Sequence, residues 1–205
     1  MSKIVSLSGY EGSGKTTLLK DVALHVPGLI VVPEVARLLL PVSTDVMQKP
    51  AGDISFSTFV AYLSALHIMQ SNRIDKALFD RNIIDSLVYM QIFSPGQALS
   101  LTSVNNHIKR YLDEHDQDAL FDTVVLLKHP TDPDFIRDSI MADKQRMYSD
   151  SVSSYLSQAA AWNECYINTF SQLDNVARNF MYVDCYPNNP GLCKELAQLL
   201  NKGGL

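Results

Sequence analysis

A glycine-rich segment near the beginning of the chain has the residue types and the spacing that bind phosphate groups. Residues Gly9–Thr16 read GYEGSGKT, which satisfies the pattern G-x-x-x-x-G-K-[ST] at every fixed position. A β-run, Ile4–Leu7, precedes the motif and a helical pattern follows it. Glycines let successive backbone N–H groups turn toward phosphate oxygens, and the helix N-terminus adds partial positive charge there. The motif therefore predicts binding of a nucleoside triphosphate.

Side chains of the same motif indicate how the triphosphate is held. We expect Lys15 to reach the β- and γ-phosphates, and the hydroxyl of Thr16 to complete the coordination shell of a Mg²⁺ ion. The predicted triphosphate-binding residues are Gly9, Glu11, Gly12, Ser13, Gly14, Lys15, Thr16 and Thr17.

Two later carboxylates stand at the ends of short apolar runs. Glu34 follows the run Leu29–Pro33, and Asp80 ends the run Ala77–Asp80. In a doubly wound sheet the carboxyl ends of the strands face one crevice, so both groups would lie near the phosphates. Glu34 could take or orient an acceptor hydroxyl, or stabilise a helix N-terminus. Asp80 could hold Mg²⁺, directly or through water, or form a surface pair with Arg81.

The residues after Asp80 supply further candidates. Arg81 could grip a phosphate group. Asp85 and Tyr89 lie one helical turn apart, which places them on the same side of a helix. Either the two residues line a pocket, or Tyr89 belongs to the core.

Several classes of triphosphate-binding protein can be compared with these residues. A GTPase needs an Asn-Lys-x-Asp motif, whereas the Asn201-Lys202 pair is followed by Gly203. A motor or AAA-type ATPase usually carries extra helical modules, for which 205 residues leave little room. A small-molecule kinase needs an orienting carboxylate and several arginines, and these are present. The kinase class is therefore favoured, and an NTP-gated ATPase or binding module stays open.

Apolar runs alternate with longer helical patterns along the chain, which is typical of an α/β fold with a mostly parallel sheet. The predicted strands are Lys3–Ser8, Leu29–Pro33, Ala77–Asp80, Thr123–Lys128 and Phe180–Asp184. Apolar spacings of three and four predict helices over Phe56–Met69 and Val152–Leu173. Further helices are predicted over Thr16–His25, Ile83–Phe93, Val104–His115 and Leu192–Asn201.

Two segments interrupt this alternation. Pro41–Ser55 contains two prolines and a Gly-Asp pair, which predicts a long loop. His129–Tyr148 contains four Asp, two Arg and one Lys after an apolar strand. This second segment is either a solvated loop or a mobile lid that closes over phosphate groups.

Composition and charge narrow the class of protein. The chain is 46% hydrophobic and 19% charged, which excludes collagen-like and disordered classes. Its formal net charge of -5 disfavours a nucleic-acid partner, unless a local patch such as Lys109-Arg110 overrides it. We expect no membrane partner and a cytoplasmic location, because no segment resembles a signal peptide or a membrane span. The three cysteines have no metal-ligand spacing, so we expect free thiols.

Three motifs in this order resemble the P-loop nucleoside and nucleotide kinase superfamily. They are Gly9–Thr17, Pro33–Arg37 and the segment Asp80–Tyr89, which reads DRNIIDSLVY. The likeness extends over residues 1–185 and is strongest to the branch of nicotinamide-riboside kinase domains and related phage nucleotide kinases.

The resemblance implies a fold, cofactors and roles for single residues. It implies a three-layer αβα P-loop NTPase fold, with a five-stranded parallel sheet in the order 2-3-1-4-5, ATP with Mg²⁺, and a helical lid. Residues 1–205 would form one kinase domain, with the lid at 129–148. The implied catalytic residues are Lys15, Glu34, Arg81 and Arg146, and the implied metal ligands are Thr16 and Asp80. The resemblance places Glu34 and Arg37 at the acceptor. Together with the residues selected above and Arg137, a second candidate in the lid, the predicted acceptor-binding residues are Glu34, Arg37, Asp80, Arg81, Asp85 and Arg137.

Two parts of the chain depart from this pattern or leave it open. The branch has Asp-Gly-x-Arg in its lid, whereas residues 143–146 read DKQR, so Arg146 keeps its place without the glycine. The segment Cys185–Pro190 would lie near the adenine, or would form an ordinary turn.

The acceptor of the phosphate stays open at this point. A nucleoside, a nucleoside monophosphate, nicotinamide riboside and a hydroxymethylated base in DNA all offer a hydroxyl or a phosphate. Arg37, Arg73 and Arg81 could offset the charge of a monophosphate, which favours a nucleotide over a bare nucleoside. The expected partner is a small nucleoside or nucleotide, and a homodimer through Phe56–Gln70 and Val104–His115 is a further prediction.

Overall fold

The structure of the protein is a computed structural model. It describes residues 3–10, 12–35, 51–93, 95–97, 99–129, 132, 134, 137–138, 152–186 and 189–202. At residues 51–56, 93, 97 and 152–159 only the backbone is described. Three residues of the predicted site, Glu11, Arg37 and Arg146, lie outside the described residues, as does most of the predicted lid.

A single parallel sheet forms the middle layer of the fold. Its strands are β1 (Lys3–Ser8), β2 (Ile30–Val32), β3 (Lys76–Asp80), β4 (Phe121–Leu127) and β5 (Ala177–Val183). The five strands stand in the order β2-β3-β1-β4-β5, which confirms the predicted α/β class and strand order. Leu7 of β1 lies opposite Asp80 of β3, and Ser8 lies opposite Leu126 of β4. The carboxyl end of β1 therefore has a neighbouring strand end on each side.

Helices cover both faces of the sheet. The α-helices among the described residues are α1 (Lys15–His25), α2 (Ala51–Ser71), α3 (Ile83–Phe93), α4 (Leu101–His115), α5 (Val152–Ser171) and α6 (Gly191–Asn201), with a 3-10 turn at Pro95–Gln97. On one face, residues of α1 and α6 such as Leu18 and Leu196 pack against Val5 and Leu7. On the other face, a larger cluster joins the sheet to residues of α2 to α5, among them Phe59, Tyr62, Leu66, Ile84, Ile108 and Trp162. No helix in these described ranges has the length and hydropathy needed to cross a membrane.

The residue pattern of β1 places polar groups inside the fold. Val5 and Leu7 are buried against the α1 and α6 layer. Because side chains alternate along a strand, Ser6 and Ser8 face the opposite layer, where both are also buried. Buried hydroxyls need hydrogen-bond partners, and Asn82 donates from its amide nitrogen to both serine oxygens at 2.7 Å. This polar row leads from the middle of β1 toward the phosphate-binding motif.

Two predicted element boundaries are wrong for identifiable reasons. The predicted loop Pro41–Ser55 ends too late, because α2 already begins at Ala51. A preceding Pro50 and an acidic Asp53 in the first turn are both typical of a helix start. Strand β5 begins at Ala177, three residues before the predicted Phe180, because Ala177 already pairs with Phe121 of β4. The polar residues Arg178 and Asn179 conceal this part of the strand in the apolar pattern.

The packing of α1 gives a matched pair of stability predictions. Leu18 is fully buried, whereas Leu24 of the same helix is 81% exposed. We expect Leu18→Ala to lower the free energy of unfolding by about 2–5 kcal/mol, because it leaves a cavity in the core. Leu24→Ala should change it by less than about 0.5 kcal/mol. Urea denaturation of both variants measures the difference, and equal losses would contradict the packing described here.

Candidate active site

The pairing of β1 with β3 brings the phosphate-binding motif to the acidic end of β3. The backbone N–H of Arg81 donates to the carbonyl of Leu7 at 2.9 Å, which extends the strand pairing by one residue. Gly9 therefore begins the loop directly beside Asp80 and Arg81. The sheet thus brings together two motifs that lie about seventy residues apart in sequence.

The phosphate loop has a backbone shape that depends on glycine. Gly9 and Gly14 have φ values of +133° and +88°, in the region that side chains rarely adopt. A Cβ atom at Gly9 would lie 2.4 Å from the carbonyl oxygen of Leu127, and one at Gly14 would lie 2.1 Å from that of Tyr186. The N–H of Tyr186 also donates to the carbonyl of Ser13 at 3.0 Å. The loop is therefore held between the end of β4 and the segment after β5.

Lys15 folds back onto the loop that it belongs to. Its Nζ atom donates to the carbonyls of Gly9 and Tyr10 at 2.6 and 2.7 Å, and to the hydroxyl of Ser13 at 3.1 Å. Burial lowers the pKa of Lys15 to about 7, and the charge of Arg81 acts in the same direction. An incoming phosphate would offer this amine an anionic partner in place of neutral carbonyl groups. The residue is thus positioned for the role predicted from the motif.

Thr16 and Asp80 form the oxygen pair predicted to hold a metal. The Thr16 hydroxyl donates to Asp80 Oδ2 at 3.1 Å. The other carboxylate oxygen, Asp80 Oδ1, is buried and has no hydrogen-bond partner among the described residues. Mg²⁺ prefers oxygen ligands and usually keeps one or two protein ligands beside waters and phosphate oxygens. The two residues fit that ion, and the unsatisfied oxygen of Asp80 is the observation that carries the fit.

Glu34 and Arg81 form a buried ion pair at the same edge of the sheet. Arg81 Nε lies 2.9 Å from Glu34 Oε1, with side-chain exposures of 6% and 16%. Arg81 has a positive φ of 74°, which is uncommon for a residue with a side chain. Its guanidinium carbon lies 5.4 Å from the centre of the Tyr89 ring. The pairing of β2 with β3 thus joins the predicted acceptor carboxylate to the predicted phosphate-binding arginine.

Asp85, another predicted acceptor residue, accepts four hydrogen bonds. It is buried in the first turn of α3 and accepts hydrogen bonds from Ser8, Gly9, Asn82 and Tyr166. Sequence reasoning did not select Ser8, Asn82 or Tyr166. Ser8 could have been found, because Ser6 and Ser8 are polar residues in an otherwise apolar strand and therefore need buried hydrogen-bond partners.

Tyr10 is a second residue that the sequence analysis did not select. It occupies a variable position of the motif but is buried, 7% exposed, and its ring stacks on His129 with a centroid distance of 4.7 Å. The ring centre of Trp162, on α5, lies 4.1 Å from that of Tyr10. The loop therefore contacts His129, the first residue of the predicted lid segment, and α5, the helix that follows this segment.

The remaining predicted residues make other contacts. Thr17 is exposed on the first turn of α1. Arg137 is exposed and pairs with Asp134 at 2.7 Å, inside the predicted lid segment. From the segment Cys185–Pro190, Tyr186 contacts the loop and donates its hydroxyl to Asp21 at 2.5 Å, a bond that raises the pKa of Tyr186 to about 12. The roles of these site residues stay predictions.

Comparison with protein families gives a match over most of the chain. A family model described as "AAA domain" matches residues 4–174. The chain belongs to this AAA domain family. The family has the name of the AAA-type ATPases, a class that the residues of the sequence favoured less than the small-molecule kinases. No match was found among curated proteins.

Comparison with solved structures gives the fold. The chain is similar to a deoxyadenosine kinase from M. mycoides with products dCMP and dCDP bound, with a TM-score of 0.59 and 15% identity, covering 97% of this chain and 98% of that one. The same kinase with bound dCTP gives a TM-score of 0.55 at 16% identity, with coverages of 97% and 98%. The same kinase with bound dATP gives a TM-score of 0.53 at 18% identity, covering 96% of this chain and 98% of that one. The predicted likeness to P-loop nucleoside and nucleotide kinases is confirmed for the fold, and the narrower branch stays a prediction.

The close approach of Tyr186 to Gly14 predicts a specific effect of substitution. Gly14→Ala should abolish measurable ATP binding, because its Cβ would collide with the backbone of Tyr186. Gly28→Ala is the matched control, since Gly28 has a similar φ of +73° but no atom within 4 Å of the added carbon. The control should lose roughly 1–2 kcal/mol of stability and keep ATP affinity. Calorimetric titration with ATP tests both variants. Unchanged affinity in Gly14→Ala would contradict the view that close contact with Tyr186 sets the shape of the phosphate loop.

The lowered pKa of Lys15 predicts how ATP affinity depends on pH. Charged groups around its amine are Arg81, Asp85, Asp80 and Glu34. Lys15 of the free protein loses its proton above about pH 7, whereas phosphate favours the protonated amine, so binding takes up a proton. ATP affinity should therefore fall by at least about tenfold from pH 7 to pH 9. Titrations in two buffers of different ionisation enthalpy measure the uptake, and a flat profile would contradict it.

Proposed function

We propose that the protein is an ATP-dependent phosphotransferase that phosphorylates a hydroxyl of a nucleoside. The observation that carries the proposal is the Glu34–Arg81 pair, held at 2.9 Å beside the phosphate loop and Asp80. A hydrolase needs only to place water at the γ-phosphate. A kinase also needs a carboxylate that orients an acceptor and a cation that offsets transferred charge. The described residues bring both groups to one edge of the sheet.

The charges at this edge favour a nucleoside over a nucleoside monophosphate. Arg81 is balanced by two carboxylates, Glu34 at 2.9 Å and Asp85 at 3.6 Å, and has little charge left for an acceptor phosphate. Arg73 is exposed before the first residue of β3, at the end opposite to Asp80. Neither arginine therefore supports the earlier preference for a nucleotide acceptor. The likeness in fold to deoxyadenosine kinases agrees with a nucleoside acceptor.

The proposed mechanism assigns one task to each group. Phosphoryl transfer depends on alignment and on neutralising charge over the moving group. Lys15 binds the β- and γ-phosphates, and Thr16 and Asp80 would hold Mg²⁺, which supplies further positive charge at the phosphates. Glu34 orients the acceptor hydroxyl and takes its proton, while Arg81 holds Glu34 in place and Lys15 offsets charge on the transferred group. The arginines of the lid, Arg137 and Arg146, stay candidates for closing the site.

An acceptor panel tests this proposal. Incubation with ATP, Mg²⁺ and separate pools of deoxynucleosides, nucleoside monophosphates, nicotinamide riboside and hydroxymethylated DNA should yield one product class that gains a single phosphate, detected by mass. We expect the nucleoside pool to react at least about tenfold faster than the monophosphate pool, because, of the described arginines named for this role, Arg81 is already paired and Arg73 lies at the far end of its strand. Faster reaction of monophosphates or of DNA would contradict the acceptor class.

Two glutamate variants separate transfer from ATP binding in the same assay. Glu34→Gln should lower kcat by about 10²–10⁴-fold, the range for a positioned general base, and keep ATP affinity. Glu195→Gln, on the exposed side of α6, is the matched control and should keep both. Loss of ATP binding in Glu34→Gln would contradict its placement at the acceptor.

The family match favours a second candidate function, an NTP-gated ATPase or binding module. Such a protein would release inorganic phosphate at a rate that no acceptor changes. The same panel distinguishes it, because the kinase consumes ATP only with its acceptor. The cytoplasmic location, the homodimer and the single-domain organisation stay predictions of the sequence.

A further inference from the structure

Asp85 joins three parts of the chain through its two carboxylate oxygens: the end of β1 with the phosphate loop, the start of α3, and α5. Oδ1 accepts the backbone N–H of Gly9 at 3.1 Å and the hydroxyl of Tyr166 at 2.8 Å. Oδ2 accepts the hydroxyl of Ser8 and the backbone N–H of Asn82, both at 3.0 Å. Arg81 adds an ion pair at 3.6 Å. The carboxylate is 2% exposed, so these bonds are made away from solvent, where they are strong.

The donors to Asp85 are themselves fixed. Ser8 accepts from the Asn82 amide at 2.7 Å, and the Asn82 side-chain oxygen accepts the N–H of Ile84 at 2.8 Å. Tyr166 is 1% exposed on α5, and burial raises the pKa of its hydroxyl well above the ordinary value, so it stays a donor. This packing leaves Asp85 no oxygen directed at an acceptor.

Gly9 is the residue through which Asp85 reaches the phosphate site. Its N–H is bound by Asp85, while its carbonyl accepts from Lys15 at 2.6 Å and from Arg81 at 3.4 Å. Gly9 also has a φ of +133°, a conformation that needs support from its surroundings. The N–H belongs to the Ser8–Gly9 peptide and the carbonyl to the Gly9–Tyr10 peptide, and the two meet at the Gly9 Cα. Fixing the first peptide therefore restricts the orientation of the second, and with it the positions of both cations.

We infer that Asp85, oriented by the Tyr166 hydroxyl, is a positioning residue for the phosphate loop that fixes the first peptide of the loop at Gly9, and not a residue that contacts the acceptor. The inference rests on ATP binding in the proposed function, but not on the identity of the acceptor. It also gives α5 a part in the site, because Tyr166 links this helix to the loop.

A second buried carboxylate provides a matched control. Asp122 of β4 accepts the backbone N–H of Ile4 at 2.8 Å and pairs with Arg178 at 2.6 Å. Like Asp85, it accepts a backbone N–H and pairs with an arginine, but at the opposite end of β1 from the phosphate loop. Asp85→Asn and Asp122→Asn should both lower the melting temperature. Asp85→Asn should weaken ATP binding by at least about tenfold, the size expected for losing a hydrogen bond to a charged group, whereas Asp122→Asn should leave it unchanged.

A pair of tyrosine variants tests the same inference with a milder change. Tyr166→Phe removes the hydroxyl that contacts Asp85 and keeps the ring. Tyr111→Phe is its control, since the Tyr111 hydroxyl donates to Gln70 at 3.0 Å, away from the site. We expect Tyr166→Phe to weaken ATP binding by about three- to tenfold and Tyr111→Phe to have no effect on it. This pair decides the question if Asp85→Asn does not fold.

Calorimetric titration with ATP, without acceptor and below the melting temperature of every variant, gives the deciding values. The inference is overturned if Tyr166→Phe and any folded Asp85→Asn bind ATP like the wild type, or if the control variants lose as much affinity. It is also overturned if Asp85→Asn raises KM for the nucleoside alone. Because no acceptor is present in the titration, a failure of the kinase proposal in the acceptor panel leaves this test intact.

Discussion

The direct pairing of β1 with β3 is the constraint on which the candidate active site depends. It sets Leu7 opposite Asp80, and the bond from the Arg81 N–H to the Leu7 carbonyl continues the pairing beyond the strand. The phosphate loop therefore starts at the same level along the strands as the carboxyl end of β3, where Asp80 lies. From this register follow the Thr16–Asp80 contact on one side and the position of Arg81 under the loop on the other. A shift of one residue would turn Asp80 toward the other face of the sheet.

Buried charge is the second feature that organises the site. Lys15 and Arg81 lie close together in the interior, with Glu34, Asp80 and Asp85 around them. Charges inside a protein are tolerated only when they are paired and hydrogen-bonded. Here Glu34 and Asp85 balance the charge of Arg81. Lys15 instead donates hydrogen bonds to neutral carbonyl groups, and Asp80 is close enough to act on its charge. An anionic ligand would complete this arrangement, because it supplies the charge that Lys15 lacks.

Apolar periodicity predicted most element boundaries to within a few residues, and a fixed-spacing motif selected the phosphate loop, because both are local signals. The strand order came from the resemblance to the kinase superfamily, since the order of strands in a sheet depends on contacts between distant segments. The sequence also selected Glu34, Asp80 and Arg81, since strand ends of a parallel sheet converge. It did not reveal the contacts of Asp85 or the stacking of Tyr10 on His129 and Trp162. Those contacts join residues far apart in sequence, and their geometry depends on how α3 and α5 pack. The preference for a nucleotide acceptor came from counting arginines, which cannot show that Arg81 is already paired.

The fate of the γ-phosphate tests the central claim most directly. A time course by ³¹P NMR with ATP, Mg²⁺ and the reactive nucleoside follows every phosphorus atom at once. The kinase account predicts that ADP and a nucleoside monophosphate appear in equal amounts, and that ATP is stable when the nucleoside is left out. Equal amounts of ADP and inorganic phosphate, formed at the same rate with or without nucleoside, would contradict it.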